Sequence, residues 1–150
     1  MRSKFILTDF NEWSKHSSSD FNRVFEEIND YESRLAGSKR DRWELAVDPN
    51  TPVDILTRLS QDEDWVIRMQ IVSNPNIPAE ALSHLSQDEN ERVRCWVAAN
   101  HKTPIEALVR LSRDEDDAVR RYVETNPKWS DPANQEKIED AKYLIELGLV

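Results

Sequence analysis

The amino-acid sequence predicts an all-α protein, an α-solenoid built from short two-helix repeats with a period of 26 residues. Three consecutive segments, residues 39–64, 65–90 and 91–116, end in nearly the same stretch: DILTRLSQDED, EALSHLSQDEN and EALVRLSRDED. Apolar residues recur within each segment at helical spacing, and prolines separate the apolar stretches at fixed positions. A chain with this period and only 2 glycines among 150 residues is typical of stacked helices.

Residues 1–38 lie before the first repeat and predict a helical N-terminal cap. Their clearest element is a helix over residues 20–36, ended near Gly37. It carries one apolar stripe, formed by Phe21, Val24, Phe25, Ile28, Tyr31 and Leu35. A shorter apolar group, from Phe5 to Trp13, precedes it.

The first helix of each repeat is predicted from apolar residues at positions i and i+4, followed by asparagine at i+7. These inward positions are Ile67, Ile71 and Asn74, then Val93, Val97 and Asn100, then Val119, Val123 and Asn126. The first copy departs from the pattern, because Asp41 and Asp48 stand at two of its positions. The helix should end before the next residue, which is proline in every copy except the third, where His101 stands.

The second helix is predicted to begin at Pro52, Pro78 or Pro104, since proline suits the first turn of a helix. Thr51 with Asp54, and Thr103 with Glu106, have the spacing of a capping box. Each second helix then carries two leucines at i and i+3, which are Leu56 and Leu59, Leu82 and Leu85, and Leu108 and Leu111. Because a two-turn helix is marginal alone, its stability should come from stacking on its neighbours.

The chain ends in a partial fourth repeat, residues 117–130, and a predicted C-terminal capping helix, residues 131–150. Asp131 is the expected N-cap of this helix, with Pro132 in its first turn and Gly148 at its end.

The pattern V-R-x-x-V-A-x-N-P-x-x-P-x-x-x-L-x-x-L-S-x-D-x-D, followed from Ile67–Arg68 and from Val93–Arg94, resembles the leucine-rich repeat variant (LRV) family. The resemblance covers about residues 39–130 and implies a right-handed superhelix with two short helices per repeat. It is specific for the architecture and nearly silent about function, since the family shares no reaction.

Composition narrows the class of partner. No run of ~18 apolar residues is present, so a membrane span is not expected, and a cytoplasmic location is the default expectation. The formal net charge is −9, which disfavours direct binding to a phosphate backbone. One cysteine, Cys95, cannot form a disulfide framework or a thiolate metal site within the chain, and no cofactor is predicted.

Acidic loops recur in step with the period and predict an acidic stripe along one edge of the array. We interpret Asp64, Asn90 and Asp116 first as N-caps of the helices that follow. A second interpretation is a ladder that contacts a basic partner, through Asp62, Asp64, Asp88, Glu91, Asp114, Asp116 and Asp117.

Specificity in a solenoid can lie where the copies differ. With Ile67 and Ile71 inward, the helical turn places Trp65 and Met69 outward, and Trp43 stands at the Met69 position of the first copy. These three residues predict an apolar patch, with Trp96 and Tyr122 at the edge of the core. Either the helix over residues 20–36 covers this patch, or the patch binds a partner.

Arg42, Arg68, Arg94 and Arg120 occupy one repeat position, and we expect each to pair with an acidic residue or a helix-end carbonyl. The alternative is a basic column for an anionic ligand. Catalysis has little support, because His16, His84 and His101 lack metal-ligand spacing and the sequence has neither a Gly-rich phosphate loop nor a Gly-x-Ser-x-Gly motif.

The sequence therefore predicts a non-catalytic module that binds another protein through Trp43, Trp65, Met69 and the acidic loops, and the charge of these loops favours a basic partner. The first alternative is an acidic nucleic-acid mimic or inhibitor that binds a basic groove of a DNA- or RNA-binding protein. The second is direct nucleic-acid binding through the repeated arginines.

Overall fold

A computed structural model describes residues 18–149, and every helix and turn in that range belongs to an all-helical architecture without strands. None of these helices is long and apolar enough to cross a membrane. Contacts divide the chain into two compact units between Ser38 and Lys39. The all-α prediction is confirmed.

The first unit contains helix α1, Ser18–Leu35, close to the predicted range of 20–36. Two apolar residues of its stripe, Phe25 and Ile28, remain more than half exposed. Gly37 does not adopt a positive φ, so its conformational freedom does not explain where α1 ends. The predictions for Phe5 to Trp13 lie outside the described residues, and the capping role of residues 1–38 stays a prediction.

The second unit alternates two kinds of short helix. The first helices of the repeats are α2 (Lys39–Val47), α4 (Trp65–Val72), α6 (Glu91–Ala99) and α8 (Asp117–Thr125). The second helices are α3 (Val53–Leu59), α5 (Ala79–Leu85) and α7 (Ile105–Leu111). The chain ends with α9 (Pro127–Ser130), a 3₁₀ turn (Pro132–Asn134) and α10 (Gln135–Glu146).

The core is formed by the positions that the sequence predicts. First helices pack side by side in the order α2, α4, α6, α8, and second helices in the order α3, α5, α7. The inward aliphatic residues of α4, α6 and α8 are fully buried, as are the leucine pairs of the second helices, at 0–1% exposure. Short helices thus hide their apolar faces against neighbouring copies, which is the expected arrangement for a stacked array.

The turn into each second helix differs from the prediction. Pro52 and Pro104 occupy the N-cap position itself, and no side chain caps the helix. Thr51 and Thr103 are buried, and their hydroxyls donate to main-chain carbonyls of the preceding helix, at Leu45 and Val97, each at 2.6 Å. The predicted capping box is therefore wrong, because the threonine hydroxyl satisfies the end of one helix rather than the start of the next.

Asparagines at the end of the first helices tie each repeat to the one before it. The amide nitrogen Nδ2 of Asn74 donates to the carbonyls of Ala46 and Asp48, each at 2.9 Å. Equivalent bonds run from Asn100 to Val72 and from Asn126 to Ala98 and Asn100. Each asparagine Oδ1 also accepts a main-chain N–H two residues on. The recurring Asn is therefore an inter-repeat connector.

The first copy has aspartate instead of asparagine at this position, for a structural reason. Asp48 stands at the asparagine position, and its Oδ1 accepts the main-chain N–H of Asn50 at 2.8 Å. A carboxylate can accept in this turn but cannot donate an N–H to an earlier repeat. Aspartate therefore suits this position in the first repeat, which has no earlier repeat to bind. It does not suit the asparagine position of the later repeats.

The C-terminal helix α10 packs against α7, the last leucine helix. Their contact is a cluster of Val109, Ile138 and Ala141, with Trp129 and Ile145 at its margin. Val109 is apolar where the earlier copies have Thr57 and Ser83, because it faces α10.

Both predicted ends of the C-terminal segment have a structural counterpart. Asp131 caps the 3₁₀ turn, with its Oδ1 accepting the N–H of Ala133 at 2.9 Å, and α10 begins only at Gln135. Gly148 has a φ of 68°, and the N–H of Leu149 reaches back to the carbonyl of Leu144. This left-handed residue and its backward bond form a glycine C-cap.

Candidate binding surface

The loop end of the array is held by arginine–aspartate pairs. Nε and Nη2 of Arg68 donate to the two carboxylate oxygens of Asp88 at 2.6 and 3.0 Å, and Arg94 holds Asp114 in the same bidentate way at 2.8 and 3.0 Å. Arg42 pairs with Asp62 at 2.7 Å. The hydrogen bonds that Arg68 donates to Asp88 outweigh the opposing effect of burial and raise the pKa of that guanidinium.

The same arginines also hold the loop in front of their own helix. Nη1 of Arg68 donates to the carbonyls of Asp62 and Glu63, and Nη1 of Arg94 to those of Asp88 and Glu89. Arg120 repeats this arrangement on the last loop, at the carbonyls of Asp114 and Glu115. The arginines therefore link successive loops, which supports the structural interpretation of these residues.

Together, these arginine bonds form a ladder along the loops. Three aspartates that were predicted to contact a partner belong to this ladder. The side chains of Asp62, Asp88 and Asp114 are only 5%, 4% and 9% exposed. Their second oxygens accept the main-chain N–H groups of Asp64, Asn90 and Asp116. With both oxygens bound inside the chain, they are poorly placed for the direct partner contact that the sequence suggested.

The residues at the helix starts are N-caps, as predicted. Asp64, Asn90 and Asp116 accept the N–H two residues later, at 2.9, 2.9 and 2.8 Å. Asp64 is additionally bound by Lys39, with Nζ 2.5 Å from Oδ2. The hydrogen bond from Lys39, followed by that from the Val66 N–H, lowers the pKa of the Asp64 carboxyl.

The accessible acidic row consists of residues that the sequence did not single out. Glu63, Glu89 and Glu115 are 89%, 87% and 92% exposed, and each reaches an arginine of the ladder only at 3.4–3.8 Å. Glu91 and Asp117, which were predicted as contact residues, are also exposed, and Asp117 pairs with Arg121 on its own helix. We call Glu63, Glu89 and Glu115 the glutamate row.

The outward side of α2, α4, α6 and α8 carries the large apolar residues. Trp43 on α2, Trp96 on α6 and Tyr122 on α8 are 41%, 50% and 47% exposed. Met69, on α4 between α2 and α6, is half-buried. We call this surface the aromatic face and define it by Trp43, Met69, Trp96 and Tyr122. It combines two residues of the predicted apolar patch, Trp43 and Met69, with two that the sequence placed at the edge of the core, Trp96 and Tyr122.

Trp65 is less accessible than predicted. It is half-buried, and the guanidinium of Arg92, from the next first helix, lies 5.4 Å from the centre of its ring. This distance is that of a cation–π contact. Trp65 therefore supports Arg92 at the border of the aromatic face and offers a partner only part of its ring.

Three shallow clefts run along the aromatic face. The first, of about 270 Å³, lies between Trp96 and the end of α4 at Val72 and Pro75. The second, of about 210 Å³, lies between Trp96 and Tyr122, over Cys95 and Ala99. The third, of about 280 Å³, lies on α8 beside Tyr122 and Arg121. Neighbouring clefts share Trp96 or Tyr122 and therefore lie in a row across α6 and α8, and we call this row of clefts the groove.

A sequence signal for this groove exists in the variation between copies. The repeat position of Trp96 is aromatic in the third and fourth copies, as Trp96 and Tyr122. It is polar in the second and first copies, as Gln70 and Glu44. A small residue, Ala99, follows three positions later and leaves room beside the Trp96 ring. The helical wheel alone places Trp96 between the buried and exposed sides, so its half exposure depends on the spacing of neighbouring helices.

The groove does not contain a reactive constellation. Burial raises the pKa of the Cys95 thiol, with Asp116 and Asp114 adding to the effect, so this cysteine stays protonated at neutral pH. Within residues 18–149, no cluster of His, Cys, Asp and Glu is arranged to hold a metal ion. The surface offers aromatic contact area and charge.

Comparison with known families supports the repeat assignment. The family model described as leucine rich repeat variant matches residues 91–116, the third predicted copy. This match confirms the resemblance inferred from the repeat motif, and the right-handed sense of the superhelix stays an expectation. No curated protein and no solved structure matches the chain.

Proposed function

We propose that this protein is a non-catalytic module that binds another protein through its aromatic face. The observation that carries the proposal is the row of clefts beside Trp96 and Tyr122, two rings about half exposed on stacked helices. Aromatic residues in a groove are the side chains that most often dominate protein–protein binding. Trp43 and Met69 extend the apolar surface toward the first repeat.

The family match supports this proposal at a coarse level, because helical repeats of this kind present extended surfaces suited to partner binding. A cytoplasmic location remains part of the proposal. The absence of enzymatic activity is likewise proposed, on the ground that the groove is lined by side chains without a nucleophile–base pair.

The test is capture of partners from an extract of the native host with wild type, Trp96→Ala and Glu89→Gln. We expect a specific partner to be retained by wild type and Glu89→Gln and lost by Trp96→Ala. Its retention should tolerate high salt, since apolar contacts are not screened by ions. A partner captured equally by Trp96→Ala would contradict the proposal.

The acidic mimic remains the second candidate, and the glutamate row favours it. Three carboxylates, each about nine-tenths exposed, recur at the repeat spacing along one edge. A complex formed through this row should dissociate as ionic strength rises and should weaken in Glu89→Gln but not in Trp96→Ala.

Direct nucleic-acid binding through the repeated arginines is not favoured by the environment of three of the four. Arg42, Arg68 and Arg94 are 17%, 9% and 11% exposed in their side chains, and each is paired with an aspartate. A guanidinium held by a bidentate carboxylate in this way is not available to a phosphate.

A further inference from the structure

The aromatic face contains one guanidinium without an acidic partner. Arg40 is paired with Glu44 at 3.0 Å, and Arg121 is paired with Asp117. Arg92, on α6, contacts the Trp65 ring and makes no ion pair with any residue in the described range 18–149. It is exposed, and it lies one helical turn before Trp96 on the same side of α6.

The position of Arg92 is suited to recognising a single anionic group. Its stacking on Trp65 limits the directions that the guanidinium can take, which lowers the entropy lost when a ligand binds. The apolar side chains beside it are the Trp65 ring and Trp96, which lies one turn further along α6. A carboxylate placed there would be partly shielded from water, where its pairing with arginine is stronger than at an open surface.

The local charge contrasts with that of the whole chain. The chain has a formal net charge of −9, whereas on the outward side of the first helices three arginines, Arg40, Arg92 and Arg121, are balanced by three acids, Glu44, Glu91 and Asp117. The glutamate row, in contrast, lies in the loops at the N-terminal ends of these helices. A polyanion crossing the face would meet that row, whereas a short segment with one acidic residue would not.

The groove also limits the size of what it can hold. Its clefts, of about 210 to 280 Å³, are smaller than a typical small-molecule pocket of roughly 300–1,000 Å³. They are shallow and lie next to one another beside Trp96 and Tyr122, so they suit successive apolar side chains of one peptide.

We infer that the partner segment recognised by this protein is an apolar peptide with an acidic residue, whose carboxylate pairs with Arg92 while its neighbouring apolar side chains contact Trp96 and Tyr122. This inference rests on the proposed function and adds the chemistry of the partner. Arg92 supplies charge selection, and the two aromatic rings supply most of the contact area.

The test is selection of random linear peptides displayed on phage against the full chain, in parallel for wild type, Arg92→Glu, Trp96→Ala and Lys137→Glu. Lys137, exposed on α10, is the control for a change from a basic residue to glutamate away from the first helices. Wild type and Lys137→Glu should enrich apolar sequences that contain Asp or Glu. Arg92→Glu should instead enrich apolar sequences that contain Lys or Arg in place of the Asp or Glu.

A selected peptide then gives the quantity to measure. Replacing its acidic residue by the neutral amide should weaken binding to wild type by about fivefold, the effect of a partly exposed ion pair, and should not weaken binding to Arg92→Glu. Thermal unfolding of each variant checks that the exposed substitutions leave the fold intact.

Three results would overturn the inference in different ways. Apolar peptides that depend on Trp96 but show no acidic preference, or the same preference in Arg92→Glu, would refute the role of Arg92 and leave the proposed function standing. Peptides enriched equally by Trp96→Ala would refute both. Binding of a fluorescent oligothymidylate at low salt, abolished by Arg92→Glu, would assign the face to a nucleic acid and also overturn the inference.

Discussion

At the scale of single residues, adjacent acids in one loop have opposite environments. Asp88 is 4% exposed and held by Arg68, whereas its neighbour Glu89 is 87% exposed. The sequence shows both as members of one acidic stretch. It does not tell the buried residue from the exposed one, because this depends on which side chain points to Arg68 on the first helix of the same repeat. Of these two neighbouring acids, the glutamate is therefore the one that a partner could reach.

Asp88→Ala should lower the free energy of unfolding by about 3 kcal/mol, because it leaves a nearly buried guanidinium without its carboxylate. Glu89→Ala, one residue further, should change it by less than about 0.5 kcal/mol. Urea unfolding of the two variants beside wild type measures both. Equal effects would show that the ladder does not stabilise the array.

Asp64 makes stability depend on acid pH. Its pKa is below the ordinary value of 3.8, so its contribution to stability is complete above that value and is lost as pH falls through the lowered pKa. Asp64→Asn should keep the N-cap, as Asn90 does, but lose the attraction of Lys39. We expect it to be less stable than wild type by at most about 1 kcal/mol at neutral pH, because the pair is partly exposed.

The check on Asp64 is a series of urea unfolding curves from neutral pH downward. The difference between wild type and Asp64→Asn should shrink as pH falls below 3.8. A difference that stays constant across this range would mean that the carboxylate charge adds nothing to stability.

At the scale of helices, each element is too short to be stable alone and depends on two kinds of connection. Buried leucines and β-branched residues join neighbouring copies, and asparagine side chains bond to the carbonyls of the copy before. The apolar connection is general, while the asparagine connection fixes the register between repeats.

Asn126→Asp should be destabilising by about 3 kcal/mol, since it places a buried carboxylate against the carbonyl oxygens of Ala98 and Asn100. Asp48→Asn, the reverse change at the equivalent position of the first copy, should be close to neutral. Thermal unfolding compares the two. Tolerance of Asn126→Asp would refute the connecting role of the asparagines.

Leu82→Ala, in the centre of the array, should cost about 2–5 kcal/mol because Leu82 is fully buried between second helices. Val53→Ala provides the control, since Val53 is 52% exposed on an equivalent helix. Retention of wild-type stability by Leu82→Ala in a denaturant titration would contradict the stacked packing.

Much of the element scale could be predicted from sequence, because it depends on local spacing. The buried sides of α4, α6 and α8, the N-caps at Asp64 and Asp116, and the glycine end at Gly148 follow from positions within one helix and its flanks. The threonine hydrogen bonds were missed because a hydroxyl beside a helix start can satisfy either adjoining helix. Only the three-dimensional turn selects between them.

The binding surface was less predictable for the same physical reason. Exposure of Trp96 and Tyr122 depends on how closely parallel helices approach, and the position of Arg92 over Trp65 joins residues of two repeats. Sequence spacing identifies which residues vary between copies. It does not determine which of the varying rings a neighbour covers.

At the scale of the second unit, stabilising charges and recognition charges are separated. The arginine–aspartate pairs lie in the loops and are largely buried, and the glutamate row lies outside them. Arg92, beside the aromatic face, has no ion pair among residues 18–149 and contacts the Trp65 ring. This separation allows the exposed residues to be changed without loss of the fold.

The central claim, that the aromatic face is a binding surface rather than a part of the core, is tested most directly by Trp96→Ala. Partner capture from native host extract and thermal unfolding should be measured on the same preparation of this variant. We expect the midpoint of unfolding to remain near that of wild type while the partner is lost. A clear drop in the midpoint with the partner still bound would contradict the claim and return Trp96 to the core.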